Sequence, residues 1–206
     1  MKSGAHSPTS NAEAPFRYLA LGDSYTIGTG ASSPSRAWPS IIARRLEQQT
    51  GRPVELTNPA VNGFTTLDLI EYELHYLDRM TPDLVTVLIG VNDLVQGRTV
   101  DQYRKSLQHI YDEIAKLKVA VVSIPDWSFV PAAKDFGGPD HVARLTESFN
   151  EAAHREASAR EFEWIDITEA SRSGIGSPGW IASDRLHPGD AQYASWAEVI
   201  WDRLRR

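Results

Sequence analysis

A serine, an aspartate and a histidine stand in two short blocks at opposite ends of this 206-residue chain, Gly22-Asp23-Ser24 and Asp184-Arg185-Leu186-His187. A serine hydroxyl attacks well only when a base takes its proton. His187 suits that task, because neutral imidazole accepts a proton near neutral pH. Asp184, three residues upstream, can accept from the His187 ring N–H and stabilise the imidazolium that forms. Attack on a carbonyl also needs donors aimed at the developing negative oxygen. Gly63 offers a backbone N–H with no side chain to block approach, Asn92 offers an amide, and the Ser24 N–H is a third candidate. Each block alone has a plainer reading. Asp23 and Ser24 would cap a helix, Gly63 and Asn92 suit turns, and Asp184 with His187 would make a solvated helix start.

The elements that must position these residues are legible as five β-rich apolar runs separated by helical stretches. The first, Tyr18-Leu19-Ala20-Leu21, runs straight into Gly22 without polar alternation, as a strand buried on both faces does. The others are residues 54–60, 84–89, 119–124 and 163–167. Between them, residues 38–50 read as a helix stopped by Gly51, and residues 66–80, 100–117 and 140–160 carry apolar positions at helical spacing. A last helix is expected from Pro188 to about Leu204, which puts His187 at its amino-terminal end. A helix start there disfavours imidazolium, and Asp184 has to outweigh that effect. Residues 27–36, 125–139 and 169–179 read as loops. Such alternation predicts an α/β fold: a three-layer α/β/α sandwich whose five-stranded parallel sheet has the flavodoxin-like order 2-1-3-4-5. In that order Ser24, Gly63, Asn92 and the Asp184/His187 pair all fall at carboxyl ends of strands, where open α/β sheets bind ligands. Four separate turn assignments do not account for that convergence.

Composition narrows the function classes. The chain is 41% hydrophobic and 23% charged, enough for one sizeable core, and residues 15–206 are expected to form a single domain. A net charge of −6 gives no reason to expect nucleic acid as a partner. The absence of cysteine excludes a disulfide, a thiolate nucleophile and a thiolate metal site. No histidine pair has metal-ligand spacing with a carboxylate, so neither metal nor other cofactor is expected. No apolar run approaches the ~20 residues of a membrane helix, so membrane insertion is not expected. Residues 1–14 are small and polar, without the apolar core of a secretory signal. They are expected to lack fixed structure, with a cytoplasmic location as the default.

Taken together, the blocks resemble those of the SGNH hydrolase superfamily, the GDSL-type lipases and esterases. Gly22-Asp23-Ser24, Gly63 within NPAVNGFTT, Asn92 within GVND, and Asp184 to His187 within DRLHP match its blocks in order across nearly the whole chain. Tyr25 stands where leucine follows the serine in the family's name, at a position that varies. The resemblance implies a serine hydrolase acting on esters or thioesters, with a covalent acyl-enzyme and no metal. It implies Ser24 as nucleophile, His187 as proton shuttle, Asp184 as its orienting acid, and Ser24, Gly63 and Asn92 as the oxyanion hole.

The substrate is less legible. Trp127 and Phe129 lie in the loop after the fourth strand, and Trp180 lies just before Asp184; all three are candidates for lining a pocket. A short chain with no evident lid favours small acyl groups such as acetyl. Thioesterase, lysophospholipase-type or acyl-transfer activity at the same site is the alternative, and a non-catalytic α/β ligand-binding module is the alternative of another class. Oligomeric state is not encoded in these features.

Overall fold

Leu19, Ala20 and Leu21 are fully buried in strand β1 (Phe16–Gly22), as their unbroken apolar run requires. β1 pairs in parallel with β2 (Val54–Thr57) on one side and β3 (Leu84–Leu88) on the other. β4 (Val119–Val122) and β5 (Glu163–Ile165) extend the sheet, which has the order β2-β1-β3-β4-β5 throughout. A computed structural model describes residues 14–206 of the chain. The stretch 1–14, expected to lack fixed structure, therefore lies outside the described residues except for Ala14.

Helices cover both faces of the sheet. On one face α2 (Trp38–Thr50) packs on β1, β2 and the last helix, α8 (Asp190–Leu204). On the other, α5 (Val100–Ile114) lies between α3 (Thr66–Tyr72) and α6 (Pro139–Ser158). α2 opens at Trp38 and stops at Gly51, which takes the left-handed conformation at φ 69°. Thr65 and Thr99 cap α3 and α5 through reciprocal capping boxes with Asp68 and Gln102. None of the described helices is long and apolar enough to cross a membrane.

Three short helices fall where loops or turns were expected. α1 (Ser24–Ile27) follows β1 directly, α4 (Val91–Val95) follows β3, and α7 (Thr168–Arg172) follows β5. Each has four or five residues, too few for a hydrophobic period to show in the sequence. The helix expected over residues 66–80 breaks at Glu73, and a 3₁₀ turn (Leu74–Asp78) continues it. The final helix starts at Asp190, two residues later than expected, because Pro188 is held in an antiparallel bridge with Ile181. His187 therefore does not cap that helix; Gly189 does.

The turn after β1 is tight. A Cβ on Gly22 would lie 2.2 Å from Leu88 O and 2.3 Å from Thr26 Oγ1, with φ at +156°. Only a glycine lets the β1–α1 corner sit against the end of β3. Gly22→Ala is expected to lower stability by more than about 1 kcal/mol, seen as a drop in the urea midpoint.

Candidate active site

The switch point of the sheet lies between β1 and β3, where the chain leaves in opposite directions. Ser24 begins α1 on one side of that crevice, and Asn92 sits in the first turn of α4 on the other. Ser24 is buried and its Oγ makes no hydrogen bond among the described residues. Asp23 Oδ1 accepts from the Tyr25 N–H at 3.0 Å and so caps the short helix that carries the serine. The Trp38 indole donates to Tyr25 O at 3.0 Å, which ties the same turn to α2.

The segment after β2 is laced to both neighbours. The Asn58 amide donates to Thr26 O at 2.8 Å, and Thr29 Oγ1 donates to Asn62 Oδ1. On the other side, the Asn92 amide donates to Phe64 O at 2.9 Å. That leaves the second hydrogen of the same amide unspent. Buried Asp93 reinforces the junction by accepting from Thr66 Oγ1 at 2.6 Å and from the Thr66 N–H at 2.8 Å. Arg98 closes on the same carboxylate at 2.5 Å. Gly63 is exposed on this segment at φ +85°. Neither its N–H nor that of Ser24 donates a hydrogen bond among the described residues.

Asp184 and His187 share a closed turn. Asp184 Oδ2 lies 2.7 Å from His187 Nδ1, and Asp184 Oδ1 accepts from the backbone N–H of Leu186 and of His187, each at 3.0 Å. Partial burial pushes the Asp184 carboxyl up, but these bonds, from the Leu186 N–H, the His187 ring and the His187 N–H, together hold it below the ordinary range. The turn is locked by Ala182 N–H to His187 O at 2.8 Å, and Arg185 takes a left-handed φ of 64° to complete it.

The histidine turn packs on the serine segment. A Cβ on Gly30 would lie 3.0 Å from His187 Cβ and 2.5 Å from Pro188 O. The Tyr25 and His187 rings meet edge to face, with centroids 6.2 Å apart. Ser32 bonds Asp190 through its N–H and its hydroxyl at 2.8 and 2.6 Å, and Tyr193 Oη donates to Thr29 O at 2.7 Å. Residues from both ends of the sequence are thereby held against one another.

The three aromatic candidates go different ways. Trp180 is buried; its indole donates to Ser171 O at 2.9 Å, and Gly174 leaves room for its ring. It fastens α7 to the chain that follows. Trp127 is also buried, packed edge to face on Phe136. Trp127 and Phe129 share a narrow cavity with Tyr25, Leu186, Pro188 and Trp196, directly behind the histidine turn. A larger cleft of about 400 Å³ lies elsewhere, among Asp126, Thr146, His154, Trp164, Asp166 and Arg172. Neither Ser24 nor His187 reaches it, so its size does not make it the site of chemistry.

Sequence reasoning missed the acids beneath the crevice. Asp23 and Glu73 are fully buried, and each has one carboxyl oxygen without a partner. Glu73 Oε2 accepts from the Gly22 N–H at 2.9 Å. Burial pushes Glu73 up to about 8, against the pull of the Gly22 N–H and with repulsion from Asp23. Burial likewise pushes Asp23 up to about 7, against the Tyr25 N–H, with Asp93 adding repulsion. Nothing in the sequence separates Glu73 from the surface glutamates of an amphipathic helix.

The sequence matches the GDSL-like lipase/acylhydrolase family over residues 20–194. The chain belongs to that family. Family membership makes it an ester hydrolase. It is 25% identical over 202 residues to an arylesterase of Vibrio mimicus, covering 93% of this chain and 90% of that protein. It is 24% identical over 205 residues to a GDSL-like esterase of Mycobacterium tuberculosis, covering 94% of this chain but only 63% of that longer protein. A lipase/acylhydrolase from Enterococcus faecalis shares the fold, with a TM-score of 0.73 at 22% identity over 92% of this chain and 95% of that one.

The buried acids have a consequence for stability. Both carboxyls bind a proton more tightly folded than unfolded, so stability declines as pH rises from the ordinary carboxylate range through the folded values. Urea midpoints should fall between about pH 5 and pH 8. The fall should be shallower in Glu73→Gln, which has no proton to lose there.

Proposed function

We propose that this acylhydrolase cleaves small carboxylic esters through an acyl-serine intermediate, with residues 15–206 as one catalytic domain. The observation that carries the reading is the Asp184–His187 pair, held against the segment that follows Ser24. With Nδ1 bonded to Asp184, the imidazole proton is fixed there and Nε2 is left as the acceptor. Ser24 Oγ attacks the ester carbonyl as His187 Nε2 takes its proton. The same proton then passes to the departing alkoxide oxygen. Water, deprotonated by His187, attacks the acyl-serine, and the acid leaves as Ser24 recovers its proton.

The tetrahedral oxygen formed in both steps carries a full negative charge. The Ser24 and Gly63 N–H groups and the remaining Asn92 hydrogen, on the segments after β1, β2 and β3, are its donors in this reading. Donors already oriented by the fold need no reorganisation as charge develops. Phe64 O fixes the Asn92 amide in advance. The cavity between Tyr25, Trp127, Phe129 and Leu186 is lined by neither Ser24 nor His187 and does not set the acyl length; the short chain with no evident lid is what favours a small acyl group such as acetyl.

Ser24→Ala and His187→Ala should each abolish hydrolysis of p-nitrophenyl acetate while circular dichroism stays unchanged. Full activity in either would remove that residue from its role. Asn92→Ala should lower kcat by about 10²–10³ with little change in KM. Across p-nitrophenyl esters from acetate to palmitate, kcat/KM should be highest for the shortest chains.

A further inference from the structure

β2 ends at Thr57, opposite Leu19, so the last residues of β1 have no strand partner on that side. The Gly22 N–H is accepted instead by Glu73 Oε2. Glu73 reaches it from the break between α3 and the following 3₁₀ turn, where its own backbone ends the helix. Gly22 is the pivot of the serine turn and cannot shift toward β3, because Leu88 O already fills the space where a Cβ would stand. Glu73 thus restrains the pivot from the side that the sheet leaves open. A surface helix has no reason of its own to bury a glutamate completely, and this one keeps an oxygen without a partner.

We propose that Glu73 is a positioning residue for the nucleophile: its buried carboxyl, bonded to the Gly22 N–H, fixes the angle at which Gly22 presents Ser24. The inference rests on Ser24 being the nucleophile. Glu73 holds the Gly22 N–H and Asp23 holds the Tyr25 N–H, so two buried carboxyls fasten the turn. A full charge on Glu73 is opposed by burial and by repulsion from Asp23. Elevated affinity for the proton on both groups accords with this. The surrounding charges do not relieve the pair. Asp93 of α4 adds to the repulsion on Asp23, and its partner Arg98 is already bound to Asp93. Tyr25, Tyr103 of α5 and Tyr193 of α8 are held above the ordinary tyrosine range by burial, so they contribute no charge near neutral pH.

The test uses the full chain with p-nitrophenyl acetate and a fluorophosphonate probe, each across a pH series, with melting curves to confirm folding. Wild-type kcat and labelling rate should fall on the alkaline side as Glu73 loses its proton. Glu73→Gln keeps an acceptor for Gly22 without charge, and it should retain turnover near neutral pH and lose the alkaline fall. Glu73→Leu removes the acceptor and should lower kcat on the order of 10²-fold at nearly constant KM, as small misplacements of a reacting group do. A folded Glu73→Leu with wild-type kcat and labelling overturns the inference. So does an unchanged alkaline limb in Glu73→Gln, which decides the matter if the leucine variant does not fold. A wild type that the probe does not label at Ser24 overturns the nucleophile assignment itself, and the inference with it.

Discussion

A parallel sheet finishes abruptly, and the polar groups at its strand ends must be bonded by something other than another strand. In this chain the requirement is sharpest at Gly22, where β1 outruns β2 and turns at once into α1. A glutamate carboxyl closes that gap. The remaining segments then lock to the corner: Asn58 to Thr26, Asn92 to Phe64, Asp93 to Thr66, and Ser32 to Asp190. Side chains do at this edge what backbone ladders do within the sheet. The Gly22–Glu73 and Thr66–Asp93 bonds are buried, so loss of one partner there would leave the other unsatisfied, whereas the Ser32–Asp190 bonds are exposed.

The same arrangement explains why the site is costly to the fold. Asp23, Glu73 and Asp93 are three buried carboxyls at these strand ends, and among the described residues only Asp93 has a cationic partner. Buried side-chain oxygens without a partner among the described residues are Asp23 Oδ2 and Glu73 Oε1 at the serine turn and Thr146 Oγ1 elsewhere. In the proposed mechanism nothing has to move when negative charge appears.

The two ends of the chain meet through the histidine turn. Its internal geometry is local: Asp184 bonds two backbone N–H groups and one ring within three residues. Its placement is not local. Gly30 and Tyr25 receive it, and they belong to the segment after β1. A local motif holds the ring against Asp184, and long-range contacts hold the turn against the segment after β1.

The strand runs, their order and the four blocks at the strand ends could be read from the sequence, because buried parallel strands are unbroken apolar runs and turn chemistry is local. The short helices α1, α4 and α7 could not, since one turn of helix leaves no period. The start of α8 shifted from Pro188 to Asp190 because a bridge to Ile181 outweighed the local preference of proline. Trp180 and Trp127 read alike in the sequence as pocket aromatics. Tertiary packing sent one to α7 and placed the other beside the histidine turn. Glu73 looked like any helix glutamate until the fold buried it against Gly22. The sequence by itself determined which residues could do chemistry and which strands would carry them, for both depend on residue type and short-range spacing. The tertiary structure alone decided which polar groups lost their water, because burial depends on what packs against a residue from elsewhere in the chain.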